Sequence, residues 1–209
     1  TNIIKIVKNG EIIYENKEGA QSDSAPIGDR TLLNIKDIIE FADTVDLGEL
    51  RGLLANQVKM NTAISEEGLK NNYGVSVGKT LLKYYGDDIK IRAKAKAAAG
   101  SDARMSGCSL PVVINSGSGN QGITASIPVI EYAKELKVGE EKLFRALIVS
   151  NLTAIHQKEL IGKLSAYCGA VSAAAGSGAG ITYLHGGGYE EISRTIINTI
   201  ANVGGMVCD

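Results

Sequence analysis

The amino-acid sequence predicts a mainly α-helical protein of the α+β class, a multi-helix domain with a small N-terminal antiparallel β-hairpin. Three observations support this prediction. Apolar residues flank an Asn-Gly pair near the N-terminus, helical periodicity with capping residues runs through most of the chain, and 25 of the 209 residues are glycine. We therefore divide the chain into a hairpin and linker, residues 1–30, and a helical domain, residues 31–209.

The composition narrows the class of protein. Lys and Arg total 22 against 23 for Asp and Glu, the net charge is −1, and no block of five like charges occurs. This balance argues against nucleic acid as a partner. Apolar stretches are interrupted well before the roughly 18 residues of a membrane span, and the N-terminus lacks the pattern of a secretory signal. We expect a cytoplasmic protein that binds neither nucleic acid nor membrane.

The hairpin follows from its turn. Apolar and charged residues over 3–8 and 11–16 flank Asn9-Gly10, which favours the positive φ angles of a type I′ turn. Two strands alone are marginally stable in water, so the hairpin needs a partner from another part of the polypeptide or from a second subunit. Residues 18–30 carry Gly, Ser, Asp and Pro without apolar periodicity, which predicts a linker.

The helices follow in order from periodicity and capping residues. Asn34 can cap a helix over residues 35–42, and a second helix is expected over 47–64. Gly100 is expected to end the fourth helix, and Pro128 is tolerable if it falls in the first turn of the fifth. Further helices are predicted over residues 77–85, 89–99, from 124 onward, 140–164, 166–184 and 189–207.

Residues 107–122, with the sequence GCSLPVVINSGSGNQG, form the candidate binding loop. A short apolar run ends in eight residues that are all small or carry an amide, and a helical pattern follows them. Such residues offer backbone N–H groups and polar side chains, and the helix N-terminus behind them favours an anion. We expect a carboxylate or a phosphate as the ligand. The candidate substrate-binding residues are Asn115, Ser116, Gly117, Ser118, Gly119, Asn120 and Gln121.

Two other motifs in the sequence suggest different kinds of site. Residues 117–122 match the GxGxxG pattern of nicotinamide cofactor sites, but Glu140 and Glu141, the acidic residues about twenty positions on, fall at a helix start. The βαβ context is therefore missing. Residues 185–188, His-Gly-Gly-Gly, resemble an esterase oxyanion loop, but no GxSxG nucleophile motif exists, so a helix–helix turn is expected. Two histidines without HExxH argue against a zinc hydrolase.

The three cysteines, Cys108, Cys168 and Cys208, are a poor disulfide framework because they are an odd number spread over a hundred residues. Each is open to interpretation as a small buried hydrophobic residue. Cys168 lies among small residues that leave space for a ligand or a cluster, and Cys208 follows glycines. Neither is a specific metal signal alone, because iron–sulfur clusters usually require three or four thiolates.

The runs GCSLPVVINSGSGNQG, AYCGAVSAAAGSGAG and ANVGGMVCD together resemble the UPF0597 family of L-cysteine desulfidase-like proteins, which is related to the α-chain of iron–sulfur L-serine dehydratases. The resemblance covers essentially the whole chain. It implies a [4Fe–4S] lyase in which three cysteines hold the cluster and one iron stays open to substrate. Cys168 and Cys208 match two of these metal ligands, and the third is expected a few residues beyond. Cys108 either lines the pocket or packs in the core.

This resemblance implies α,β-elimination of L-cysteine to pyruvate, ammonia and sulfide, or of L-serine to pyruvate and ammonia. The alternative is a non-catalytic module that binds a small anion or amino acid with the NSGSGNQG loop. The chain starts without Met and stops one residue after a cysteine, so we expect a fragment. Its catalytic residues would lie in a missing N-terminal half, and the fragment itself would be inactive and lack the cluster. The expected partners are a small amino-acid substrate, that N-terminal half, and a second copy if the hairpin pairs between subunits.

Overall fold

The structure is a computed structural model that describes residues 5–15, 28–162 and 167–203. The prediction of a mainly helical protein with an N-terminal hairpin is confirmed. Within the described residues the chain forms two antiparallel strands and then eight α-helices. Their bounds are β1 Lys5–Lys8, β2 Glu11–Glu15, α1 Ile35–Thr44, α2 Leu47–Lys70, α3 Val77–Tyr85, α4 Ile89–Met105, α5 Gly119–Glu135, α6 Glu140–Ile161, α7 Gly169–Leu184 and α8 Tyr189–Val203.

The hairpin has the turn that its sequence predicts. Asn9 and Gly10 have φ angles of 52° and 86°, as a type I′ turn requires. Lys5 lies opposite Glu15, and the register shifts between Ile6 and Val7. All residues of both strands are exposed to solvent, so neither face is buried against the described part of the chain. The exposed apolar side chains are Ile6, Val7, Ile12, Ile13 and Tyr14.

The first helix begins at its predicted cap, and the second begins at the predicted residue. The side chain of Asn34 accepts a hydrogen bond from the backbone N–H of Asp37, and Asp46 caps α2 in the same way at Gly48. Helix α2 continues to Lys70 rather than ending near residue 64. The added turns bury Ser65 and Gly68 against α4, so tertiary packing extends the helix beyond its apolar pattern.

The prediction that Gly100 ends α4 is wrong, because the helix continues to Met105. A Cβ atom at Gly100 would lie 2.6 Å from the hydroxyl oxygen of Ser65 on α2. The backbone of Ala99 also lies against Gly68, and a Cβ atom added at Gly68 would overlap the carbonyl of Ala99. Gly100 is therefore a packing residue that lets α2 and α4 approach closely, and not a C-terminal cap.

Helix α5 begins at Gly119 rather than near residue 124, so Pro128 lies in the helix interior and not in its first turn. Proline has no N–H group, so the carbonyl of Thr124 lacks its usual helical donor. The first turn of α5 consists of residues that the sequence assigned to the loop. Gly122 belongs to this turn, and it is needed there because the carbonyl of Val113 lies against its backbone.

Helix α5 is the centre of the helical domain, and its neighbours run in defined directions. Helix α4 is antiparallel to it, since Arg104 lies at Gly119 and Arg92 pairs with Glu135 at the other end. Helix α7 is parallel to α5. Three successive contacts establish this direction: Gln121 with Gly169, Ala125 in one cluster with Ala173, and Val129 with Gly180. The N-termini of α5 and α7 therefore lie side by side.

Helix α6 runs antiparallel to α7 at close distance. A Cβ atom at Gly176 would lie 2.5 Å from the carbonyl oxygen of Ser150, and one at Gly180 would lie 2.8 Å from that of Ala146. The main core surrounds these helices, and its largest fully buried side chains include Ile123, Ile127, Ile130, Phe144, Leu147 and Ile192. Among the described residues, no helix combines the length and apolar character needed to cross a membrane.

Candidate functional site

The centre of the candidate loop is a tight turn. Asn115 and Ser118 exchange two backbone hydrogen bonds of 3.1 and 3.0 Å, with Ser116 and Gly117 between them. Both central residues have positive φ angles, 49° for Ser116 and 84° for Gly117. A positive φ is uncommon for a residue other than glycine, so Ser116 is held there by its surroundings. The turn is a fixed structure that presents its backbone at the start of α5.

A fully buried asparagine on α2 fixes the segment that leads into the turn. The side chain of Asn61 accepts a 2.9 Å hydrogen bond from the N–H of Val113 and donates to the carbonyl oxygens of Val113 and Gly122, each at 3.2 Å. It thereby supplies a partner to the backbone of Val113, which lies outside any helix or strand, and ties this residue to Gly122 in α5. Sequence reasoning missed Asn61, because a single polar residue in a long amphipathic helix gives no local signal of this role.

A second amide network holds the turn from the side of α6. The side chain of Asn115 donates to the backbone and side-chain oxygens of Asn151, at 3.2 and 3.0 Å. Asn151 and Gln57 exchange amide hydrogen bonds of 2.8 and 3.0 Å, and Ser116 donates to Asn115. The amide of Asn115 thus points into the protein and anchors the turn. That Asn115 also contacts the substrate stays a prediction.

Arg104 lies at the N-terminus of α5. Its side chain runs along the backbone of Gly119 and donates a 3.2 Å hydrogen bond to the side chain of Asn120. Within the described ranges it forms no ion pair with a carboxylate. A guanidinium group beside the positive end of a helix favours a nearby anion. Sequence reasoning did not single out Arg104, because it belongs to the helix before the loop.

The structure brings the predicted loop to one of the predicted metal ligands. The side chain of Gln121 lies against Gly169, where a Cβ atom would be 2.5 Å from the Gln121 amide carbon. Gly169 directly follows Cys168, whose half-buried thiol stands at the N-terminal end of α7. The other predicted ligand, Cys208, lies outside the described residues. Over the ranges that are described, no group of three or more His, Cys, Asp or Glu side chains is arranged to hold a metal ion.

Cys108 has the surroundings of a packing residue. It is half-buried against the main core, and its N–H donates a 3.0 Å hydrogen bond to the carbonyl of Ala103. The hydroxyl of Tyr73 lies beside it. Hydrogen bonding to Glu67, and secondarily to Cys108, raises the pKa of Tyr73 to about 12. Of the two roles left open for Cys108, packing is the one that these contacts support.

Two of the rejected motifs are explained by the structure. Residues 110–114, the apolar run before the turn, form no strand, so the GxGxxG sequence has no βαβ unit around it. His185 ends α7 and starts the turn to α8, as expected for a helix–helix connection.

A pocket of about 360 Å³ opens on the other side of the turn. Asn115 and Ser116 reach it, but Phe41, Leu53 and Ile114 give it a mainly apolar lining. Such a lining suits neither the carboxylate nor the ammonium group of an amino acid. The N-terminal ends of α5 and α7 therefore remain the better candidate for a charged ligand.

The fold and the site define a mainly helical domain in which a glycine-rich turn meets a helix that starts at a cysteine. The sequence profile of the serine dehydratase alpha chain family matches residues 4–209, and the chain belongs to this family.

The chain is also similar to UPF0597 proteins, as the sequence motifs predict. It is 60% identical over 209 residues to a UPF0597 protein of Desulfitobacterium hafniense, covering 100% of the chain and 48% of that protein. A UPF0597 protein of Lachnoclostridium phytofermentans is also 60% identical, and one of Treponema denticola is 54% identical, with 50% of each covered. The chain spans about half the length of these curated relatives. No solved structure matches it.

Proposed function

We propose that this chain is the substrate-binding and cluster-binding part of an iron–sulfur-dependent lyase. The whole enzyme would catalyse α,β-elimination of L-cysteine to pyruvate, ammonia and sulfide, or of L-serine to pyruvate and ammonia. Membership of the serine dehydratase alpha chain family supports a lyase-type role. The observation that carries the proposal is the contact of Gln121 with Gly169, because it joins the candidate substrate loop to the residue that follows Cys168.

The surroundings of Cys168 fit a cluster ligand. Its thiol is half-buried, its neighbour in the chain is a glycine, and the positive end of α7 favours a negatively charged sulfur. Cys168 and Cys208 would hold the [4Fe–4S] cluster together with a ligand from the rest of the protein. When bound, the cluster supplies a Lewis acid for the departing β-substituent.

The residues of this chain would bind and orient the substrate. The first backbone N–H groups of α5 and the side chains of Asn120 and Gln121 supply hydrogen-bond donors for a carboxylate. Arg104 adds positive charge at the same helix end. The hydroxyls of Ser116 and Ser118 are acceptors for the ammonium group. Because Asn61 and Asn151 fix the turn before substrate arrives, binding costs little ordering of the protein.

The experiment that tests this function compares two cysteine variants of the full-length protein. Wild type, Cys168→Ser and Cys108→Ser are reconstituted anaerobically with iron and sulfide, and pyruvate formation from L-cysteine and L-serine is assayed. Wild type and Cys108→Ser are expected to hold the cluster and produce pyruvate, whereas Cys168→Ser loses both. A Cys168→Ser protein with a full iron content and normal turnover would contradict the proposal.

A second candidate function is a non-catalytic module that binds a small anion or amino acid. The observation that favours it is the set of hydrogen-bond donors at the start of α5. All of these donors belong to described residues, and none of them depends on a cluster. The same reconstitution separates the two functions. An intact cluster that turns over neither amino acid, in a protein that still binds L-serine, supports the module.

A further inference from the structure

The N-termini of α5 and α7 lie side by side and point the same way. Gln121 in the first turn of α5 contacts Gly169 in the first turn of α7. In the described structure neither helix has a side-chain N-cap. Each N-terminus carries roughly half an elementary positive charge and N–H groups without intrahelical acceptors. Two such ends in contact repel each other, and an anion between them removes this repulsion.

A third helix, α6, carries a buried donor close to this place. Ala146, Ser150 and Ala154 form the stripe of α6 that faces α7, and Gln157 continues this stripe by one turn toward the start of α7. Only 8% of Gln157 is exposed, and its amide nitrogen Nε2 has no hydrogen-bond acceptor among the described residues. A buried donor without a partner is costly, so a ligand that accepts a hydrogen bond from it would remove this cost.

The neighbouring side chains limit what that ligand can be. Thr153, one turn before Gln157, is fully buried, and its hydroxyl also lacks a partner within the described chain. Behind these groups, Ala125, Ala154 and Ala173 form an apolar cluster that offers no acceptor. An amide N–H, a hydroxyl and two helix N-termini are nearly all donors, and the guanidinium of Arg104 at the α5 end is the one full positive charge described beside them. This set suits a small, singly charged group with several acceptor sites, which is a carboxylate.

We propose that Gln157 donates a hydrogen bond from Nε2 to a carboxylate oxygen of the amino-acid substrate, held between the N-termini of α5 and α7. The inference rests on the proposed function for the identity of the substrate. Binding at the site requires only a small carboxylate, and it can be measured without any reaction.

The test measures binding to the full-length protein prepared without a cluster, so that no reaction is needed. L-serine is titrated calorimetrically into wild type, Gln157→Met and Gln157→Glu, and L-serinamide, which lacks the carboxylate, serves as the matched ligand. Wild type is expected to bind L-serine but not L-serinamide. Loss of one hydrogen bond to a charged group weakens binding by about 10- to 100-fold in Gln157→Met. Gln157→Glu is expected to lose more affinity for L-serine, because the negative charge of the glutamate repels the carboxylate of the ligand. Asn56→Asp, an exposed change on α2, controls for net charge and binds normally.

Thermal unfolding without ligand distinguishes a binding role from a structural one. Gln157→Met removes an unpaired donor while keeping the side-chain shape, so its melting temperature should equal or exceed that of wild type. The matched control is Gln57→Met, which breaks the paired amides of Gln57 and Asn151 and should melt at a lower temperature.

Three results would overturn the inference. They are unchanged L-serine affinity in Gln157→Met, equal binding of L-serine and L-serinamide, and no binding of L-serine to wild type. A wild type that binds L-serine through Gln157 but forms no pyruvate after reconstitution contradicts the lyase and leaves this site intact. A Gln157→Met enzyme with unchanged turnover and KM contradicts the site and leaves the lyase intact.

Discussion

At the scale of single residues, asparagine and glutamine side chains determine the shape of the site. Asn61 and Asn115 are both almost completely buried, and both use their amides to hold backbone or other amides in place. Gln157 is also buried, with 8% exposed, but its amide nitrogen is unpaired in the described structure. The paired amides of Asn61 and Asn115 stabilise the turn, whereas the unpaired amide of Gln157 is available to a ligand.

The first prediction concerns Asn61. Replacing it by alanine leaves the partly buried N–H and carbonyl of Val113 without their partner and removes one of the hydrogen bonds to the carbonyl of Gly122. We expect the Asn61→Ala variant to lose about 2–4 kcal/mol of unfolding free energy, measured by urea denaturation. The exposed Asn56→Ala on the same helix should change it by less than about 0.5 kcal/mol. Equal stabilities of the two variants would contradict the role given to Asn61.

At the scale of elements, glycines decide how closely the helices pack. The sequence shows many glycines but does not reveal which of them end helices and which lie at contacts. Gly100 was expected to end α4, yet it lies inside the helix against Ser65. The distinction depends on a residue of another helix, which local periodicity cannot report. The same ambiguity hid the true start of α5, since the glycines of its first turn resemble a loop.

The second prediction compares two helical glycines. A Cβ atom at Gly176 would lie 2.5 Å from the carbonyl oxygen of Ser150, so Gly176→Ala must separate α6 from α7. We expect it to lower the unfolding free energy by about 1–3 kcal/mol. Gly52 in α2 has no atom within 4 Å of its Cβ position, and Gly52→Ala should stabilise the protein by up to about 1 kcal/mol. Chemical denaturation of both variants checks the opposite signs.

At the scale of the whole molecule, one buried carboxylate links α4 to α5. Lys96 and Lys134 each lie 3.0 Å from Glu131, and Arg92 lies 3.4 Å from its other oxygen. Burial raises the pKa of Glu131, but hydrogen bonds from Lys134 and Lys96 outweigh this effect and bring the pKa below its ordinary value of 4.5. The ionised form is therefore favoured in the folded protein. Its stabilisation is present above pH 4.5 and is lost as the pH falls through the lowered pKa.

The third prediction follows from that sign. Glu131→Gln should reduce the free energy of unfolding at neutral pH by about 1–3 kcal/mol, because Arg92, Lys96 and Lys134 lose the carboxylate with which they all pair. Its stability should then decline less than that of wild type as the pH falls below about 4.5. Urea unfolding over the acid range measures both effects. Glu135→Gln, a change at an exposed carboxylate that pairs with Arg92, is the control and should keep most of the wild-type acid dependence. Parallel pH profiles for wild type and Glu131→Gln would contradict this account.

The sequence predicts the hairpin turn, most of the helices and the glycine-rich loop, but it places Cys168 inside a helix over residues 166–184 and not just before the start of α7. Each of these has a local signal, such as Asn9-Gly10, a capping residue or a run of small residues. Arg104 and Gln157 have no such signal, because they reach the site only through the packing of α4 and α6 against α5 and α7. The side-by-side N-termini of α5 and α7 likewise depend on the parallel direction of the two helices, which is a property of the tertiary structure.

The exposed hairpin has a consequence for handling the chain in solution. Among the described residues β1 and β2 pair only with each other, and apolar side chains such as Ile12 and Ile13 are open to solvent beside them. Strands of this kind add to one another from molecule to molecule. We therefore expect the 209-residue chain on its own to self-associate as its concentration rises, with light scattering that grows accordingly. A partner that covers the hairpin would act as a solubilising element as well as a structural one.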